Sequence, residues 1–98
     1  MKELQELQED IGEWSDERGT SLEGMLNHLI EEARDLKKNP YNAMNHADVL
    51  ILALSIARKT TYNVEDLLKA VKTKMEINKA RIWLEPDSQG IVRHKSNE

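Results

Sequence analysis

The chain has 98 residues, a formal net charge of −4 at pH 7, 33% charged residues and 39% hydrophobic ones. That suffices for one small domain, and the acidic balance argues against a general nucleic-acid binder, which needs a basic face. Cys is absent, which excludes disulfides and thiol chemistry and fits a cytoplasmic protein. The N-terminus shows no signal-peptide pattern. The longest apolar run, Val49 to Leu54, is too short to span a bilayer, so no membrane partner is expected.

Residues 1–17 read as an amphipathic helix, with Leu4, Leu7, Ile11 and Trp14 on one face. Gly12 weakens it by about 1 kcal/mol relative to Ala. Asp16 to Thr20 is a polar break containing Gly19. Thr20 or Ser21 is expected to cap a second helix over 21–38, and Thr20 with Glu23 fits a capping box. Asn39-Pro40 stops it, because a residue before proline avoids helical angles.

The spacing predicts a third helix over 42–60, apolar in nearly every direction. Such a helix is normally buried. So short a chain has too little other protein to surround it, so part of this helix is expected to pack against another subunit. Asn63, with Asp66, caps a fourth helix over 63–82. Its stripe of Val64, Leu67, Leu68, Val71 and Met75 gives way to Lys74, Asn78 and Arg81. Residues 83–98 form a tail, with a turn at Pro86–Gly90 and a short extended piece at Ile91–Arg93. The fold class is all-α, in a single domain.

Two of these helices carry acids toward apolar faces. Glu32 falls into the stripe of Met25, Leu29 and Leu36, and Asp48 lies between Met44 and Ile51–Leu52. A carboxylate aimed at a core is costly unless something pairs with it. Two helices sending acids to one space suggest a shared cation, and oxygen ligands suggest a hard one, Mg²⁺ or Mn²⁺. The candidate ligands are Glu32, Asp35 and Asp48, with Asn45 and Glu31 nearby. On a generic helix Glu31, Glu32 and Asp35 would simply be solvated charges. The stripe weakens that reading for Glu32 and Asp48.

Lys74, Asn78, Lys79 and Arg81 form either a cationic rim for an anion or the usual basic enrichment of a last helical turn. Trp14 and Trp83 either stack on a ring or pack at contacts. His28, one turn before Glu32, either partners it or stands partly exposed without a role. There is no glycine-rich phosphate loop, so any phosphate binding must be led by metal.

These residues resemble the MazG-like all-α nucleoside triphosphate pyrophosphohydrolases. That family shows a Glu-Glu-x-x-Glu segment followed by Glu-x-x-Asp at the start of an apolar helix. Here the segments read Glu31-Glu32-Ala-Arg-Asp35 and Asn45-His-Ala-Asp48. The short phage-type dATP/dGTP diphosphohydrolases are the most similar. They share the His28–Glu32 opening, the run Ala47 to Leu54 and the Asn78-Lys-Ala-Arg-Ile-Trp83 ending. Asp35 and Asn45 depart from the family, which usually has Glu at both positions; an amide oxygen can ligate a cation but carries no charge.

The resemblance implies a bundle of four to five helices, assembled as a dimer or a dimer of dimers. It also implies Mg²⁺-dependent cleavage of a nucleoside triphosphate, a purine dNTP, to monophosphate and pyrophosphate, with Mn²⁺ as a possible substitute. Glu32, Asp35, Asn45 and Asp48 would be the metal ligands. Glu31 or Glu32 would orient the attacking water, and Lys74, Asn78, Arg81 and Trp14 would contact substrate. The alternative is a non-catalytic helical oligomer that binds a nucleotide or a protein, which the Asn45 departure keeps open. A di-iron bundle would need Glu-x-x-His pairs on two helices, and none occurs.

Overall fold

The computed structural model describes residues 2–96. Four helices run in order: α1 Lys2–Glu17, α2 Leu22–Lys38, α3 Ala43–Lys59 and α4 Val64–Ala80. Among the described residues the expected four to five helices are four. Among the described residues no helix is long and apolar enough to cross a membrane. The chain divides into two compact units, Met1–Leu67 and Leu68–Glu98.

In the first unit α3 is central, packing against both α1 and α2. Ile11, Met25, Leu52, Leu54, Ala57 and Val64 form its core. Gln8 is buried with them and satisfies its amide by donating Nε2–H to the carbonyls of Leu54 (3.2 Å) and Tyr62 (3.1 Å). One side chain of α1 thereby fixes both α3 and the chain that leaves it. A buried amide without such partners would be strongly destabilising.

The turn after α1 uses Gly19 at φ +66, a backbone conformation that costs glycine little. Here the expected capping box fails. Thr20 donates its hydroxyl to the Ser15 carbonyl (2.7 Å) and accepts from the Ser15 hydroxyl, closing the turn. Ser21 is the cap instead, its Oγ accepting from the Gly24 N–H at 3.0 Å. The cap expected at α4 forms, as a reciprocal pair: Asn63 Oδ1 accepts from Asp66 N (2.8 Å), and Asp66 Oδ2 accepts from Asn63 N (3.2 Å).

Gly12, the weak point predicted in α1, is buried beneath Arg58 of α3. A Cβ there would run into the Cδ, Nε and Cζ of that side chain. Arg58 crosses the glycine to reach Asp16 (3.2 Å). The helix gives up propensity at one position so that an arginine from the central helix can lie across it.

Helix α3 is covered unevenly. Leu52, Leu54, Ser55 and Ala57 in its C-terminal half are buried, whereas Met44 is 67% exposed and Leu50 53% exposed in its N-terminal half. The expected all-round burial therefore fails within this chain: even the C-terminal half leaves Ile51 and Ala53 exposed between its buried residues.

The second unit contains α4 from Leu68 onward and a returning arm. The arm pairs antiparallel to the residues after the helix, through a bridge between Trp83 and His94. Backbone bonds run from Leu84 N to Arg93 O (2.8 Å) and from Lys95 N to Ile82 O (2.7 Å). The turn expected at Pro86–Gly90 is held by Asp87. Its Oδ1 accepts from the N–H groups of Gln89 and Ile91, and its Oδ2 accepts from Arg93 Nε. The Ile91 and Gln89 backbone bonds hold the Asp87 carboxyl below its ordinary range, and Arg93 adds to this against a small opposing effect of burial.

Candidate active site

A half-open cavity of about 140 Å³ lies in the first unit. Its α1 side is made by Trp14, Ser15 and Arg18, joined by Thr20 from the turn. Its other side is made by Gly24, Met25, His28 and Glu32 of α2, and by Asp48, Ile51, Leu52 and Ser55 of α3. Two carboxylates from different helices therefore share one cavity. Glu32 points inward, its side chain 15% exposed, and His28 Nε2 lies 2.9 Å from its Oε1. An ionised carboxylate can only accept, so the histidine donates and fixes that oxygen. Asp48 lies on the exposed N-terminal half of α3, at the edge of the cavity rather than in a core.

The other sequence candidates lie elsewhere. Glu31 and Asp35 are exposed on α2 and do not line the cavity. Asn45 does not line it either. Its Nδ2 donates to the Asn39 carbonyl at 3.1 Å, and His46 Nε2 lies 2.7 Å from the Pro40 carbonyl. Both side chains brace the link between α2 and α3. Among the described residues no group of three or more His, Asp or Glu side chains converges as a cation cage.

Lys74, Asn78 and Arg81 belong to the second unit. Lys74 is exposed, and Asn78 and Arg81 are half-buried. The Asn78 carbonyl, at the end of α4, accepts both from the Trp83 indole N–H at 2.8 Å and from the Arg81 backbone N–H at 3.2 Å. Trp83 also meets the His94 ring edge-on, with centroids 5.8 Å apart, so this tryptophan serves the local fold. Arg81 opens onto a cavity of about 290 Å³ with His94, Lys95 and Ser96.

Sequence reasoning missed Arg18. Its guanidinium carbon lies 4.0 Å from the centroid of the Trp14 ring, and both residues line the acid-bearing cavity. The signal was the four-residue spacing from Trp14 near the end of α1, which brings Arg18, the first residue past the helix, within reach of the indole. Ser15 and Ser55, buried beside the cavity, were missed because a serine on an amphipathic helix gives no periodic signal.

Two carboxylate oxygens with room beside them suit a hard divalent cation. Mg²⁺ in particular is commonly held by one or two carboxylates while water and substrate phosphates complete its shell.

A model of the dATP/dGTP pyrophosphohydrolase family matches residues 7–97. The chain belongs to that family. It is therefore a pyrophosphohydrolase by membership, and its helices carry the MazG-like fold. The dATP/dGTP diphosphohydrolase of Cyanophage S-2L is 36% identical over 93 residues, covering 91% of this chain and 85% of that protein. A solved structure of the Cyanophage S-2L MazG-like pyrophosphohydrolase, bound to dGDP and three catalytic Mn²⁺ ions per active site, superposes with a TM-score of 0.78. It is 32% identical and covers 93% of this chain and 95% of its own.

Proposed function

We propose that this protein hydrolyses purine deoxynucleoside triphosphates, dATP or dGTP, to the monophosphate and pyrophosphate. The observation that carries the reading is the meeting of Glu32 and Asp48, from two helices, in one cavity. The family and the relatives' substrates and metal support it.

In this reading Glu32 and Asp48 hold a divalent cation, Mg²⁺ or Mn²⁺, while Asp35, exposed and outside the cavity, takes no part. The bound cation supplies Lewis acidity toward phosphate oxygens and water. His28 pins one oxygen of Glu32 and leaves the other free to orient a water and accept its proton. Glu31 stands outside the cavity and takes no part, and Asn45 stays with the interhelical link. Trp14 stacks on the base. The functional particle is a dimer or a dimer of dimers, acting in the cytoplasm.

The test is product analysis. The full chain is incubated with each common dNTP and Mg²⁺, Mn²⁺ or EDTA, with pyrophosphate and orthophosphate assayed separately. The expected result is monophosphate plus pyrophosphate, abolished by EDTA and by Asp48→Ala. Orthophosphate release, or metal binding with no turnover of any nucleotide, would overturn it.

A further inference from the structure

We infer that this chain holds one divalent cation, between Glu32 and Asp48, where its solved Cyanophage S-2L relative holds three per active site. The inference rests on the proposed nucleotide reading of the same cavity and gives that reading its metal stoichiometry.

The donor set imposes the limit. Metal ions that act together in one site lie about 3.5–4 Å apart. Divalent charges so close repel each other, and carboxylates must lie between and around them to hold them. Two carboxylates offset the charge of a single such ion. A further ion would find no acid left to hold it, because among the described residues Glu32 and Asp48 are the only acids that line the cavity. Much of the remaining wall is Met25, Ile51 and Leu52, which offer a cation nothing.

The side chains that would enlarge the set are turned to other work. Asn45 is neutral, and its Nδ2 donates to the Asn39 carbonyl at 3.1 Å, which commits the amide to the link between α2 and α3. Asp35 stands one turn beyond Glu32 on α2, exposed and outside the cavity, and Glu31 is exposed as well. His28 directs its Nε2 to Glu32 Oε1 at 2.9 Å, so it supports an existing ligand instead of adding one.

A cation held by two carboxylates keeps most of an octahedral oxygen shell open. Water fills those positions until phosphate oxygens replace it. Metal and nucleotide therefore complete each other's contacts, and each should raise the affinity of the other by the same factor.

The experiment counts ions apart from turnover. The full chain is titrated with Mn²⁺, alone and with dGDP, with free and bound Mn²⁺ followed by electron paramagnetic resonance. Native mass spectrometry of the dGDP complex counts the ions retained, and the Cyanophage S-2L enzyme is the control that should retain three. This chain should saturate at one Mn²⁺, more tightly with dGDP than without, and show the spectrum of an isolated ion. Asp48→Asn should weaken Mn²⁺ by at least about 10- to 100-fold, the loss typical even of residues that only support a ligand. Asp35→Asn and Glu31→Gln should change neither the count nor the affinity. Two or three ions per chain, a spin-coupled spectrum, or a comparable loss of affinity in Asp35→Asn would overturn the inference. One ion with no turnover of any dNTP would leave the inference standing and sink the proposed reaction. Pyrophosphate release with two or three ions bound would do the reverse, and no ion retained under any condition would sink both.

Discussion

Asn45 shows how a residue can carry two meanings. Its place in the motif suggests a ligand, but its amide bridges to the Asn39 carbonyl and ties the start of α3 to the end of α2. A glutamate there could not donate that bond. Asn45→Glu is therefore expected to lower stability by about 1 kcal/mol, the usual net worth of one such hydrogen bond. It should leave Mn²⁺ affinity unchanged, because residue 45 does not line the cavity of Glu32 and Asp48. Urea denaturation and a Mn²⁺ titration check the two halves. Tighter metal binding in the variant would return Asn45 to the ligands. The sequence could name this residue but not choose between its roles, since the carbonyl it serves lies six positions back across a proline turn. Glu32 was legible for the opposite reason: its role as an inward acid follows from one helical stripe, a strictly local pattern.

Between elements, the contact that sequence could not foresee is the crossing of Arg58 over Gly12. Local propensity condemns the glycine, yet a methyl group there collides with an arginine 46 positions later in the chain. Gly12→Ala should gain about 1 kcal/mol of helix propensity only where Arg58 is absent. In the wild-type background that gain should vanish or reverse, because Arg58 must leave both the groove and Asp16. A double-mutant cycle of Gly12→Ala and Arg58→Ala, read by urea denaturation, should show a coupling of about 1 kcal/mol or more. Simple additivity would mean that the two side chains do not share the space. The same contrast between local and distant signals explains which caps were readable. Asn63 and Asp66 satisfy each other within one turn and are visible in sequence. Thr20 was misplaced because its hydroxyl answers to Ser15, behind it, instead of to the helix ahead. Gln8, buried and bonded to two carbonyls far along the chain, had no local signature at all.

For the whole molecule, the shortage of buried apolar side chains is the leading fact. The core holds Ile11, Met25, Leu52, Leu54, Ala57 and Val64, while Leu26, Ile30, Met44 and Leu50 of α2 and α3 stay largely exposed. Leu26 and Ile30 are one turn apart, so they share a face, and the uncovered end of α3 adds further apolar surface. Apolar surface concentrated in this way marks a protein contact more often than a solvated face. A second copy of the chain would cover it and give α3 the burial that its composition demands. Light scattering on an eluting peak should then report a multiple of 11.3 kDa. Leu50→Glu is the informative variant, because Leu50 is exposed and does not line the cavity, whereas its neighbour Ile51 does. A carboxylate placed there would be desolvated in an interface but would cost little on a free surface. The variant should therefore elute as a smaller species while its circular dichroism stays helical. Its turnover should fall with dissociation if the partner completes the half-open cavity, and should persist if each chain holds a whole site. A wild-type monomer at micromolar concentration would sink the oligomer and leave the apolar end of α3 without a physical account.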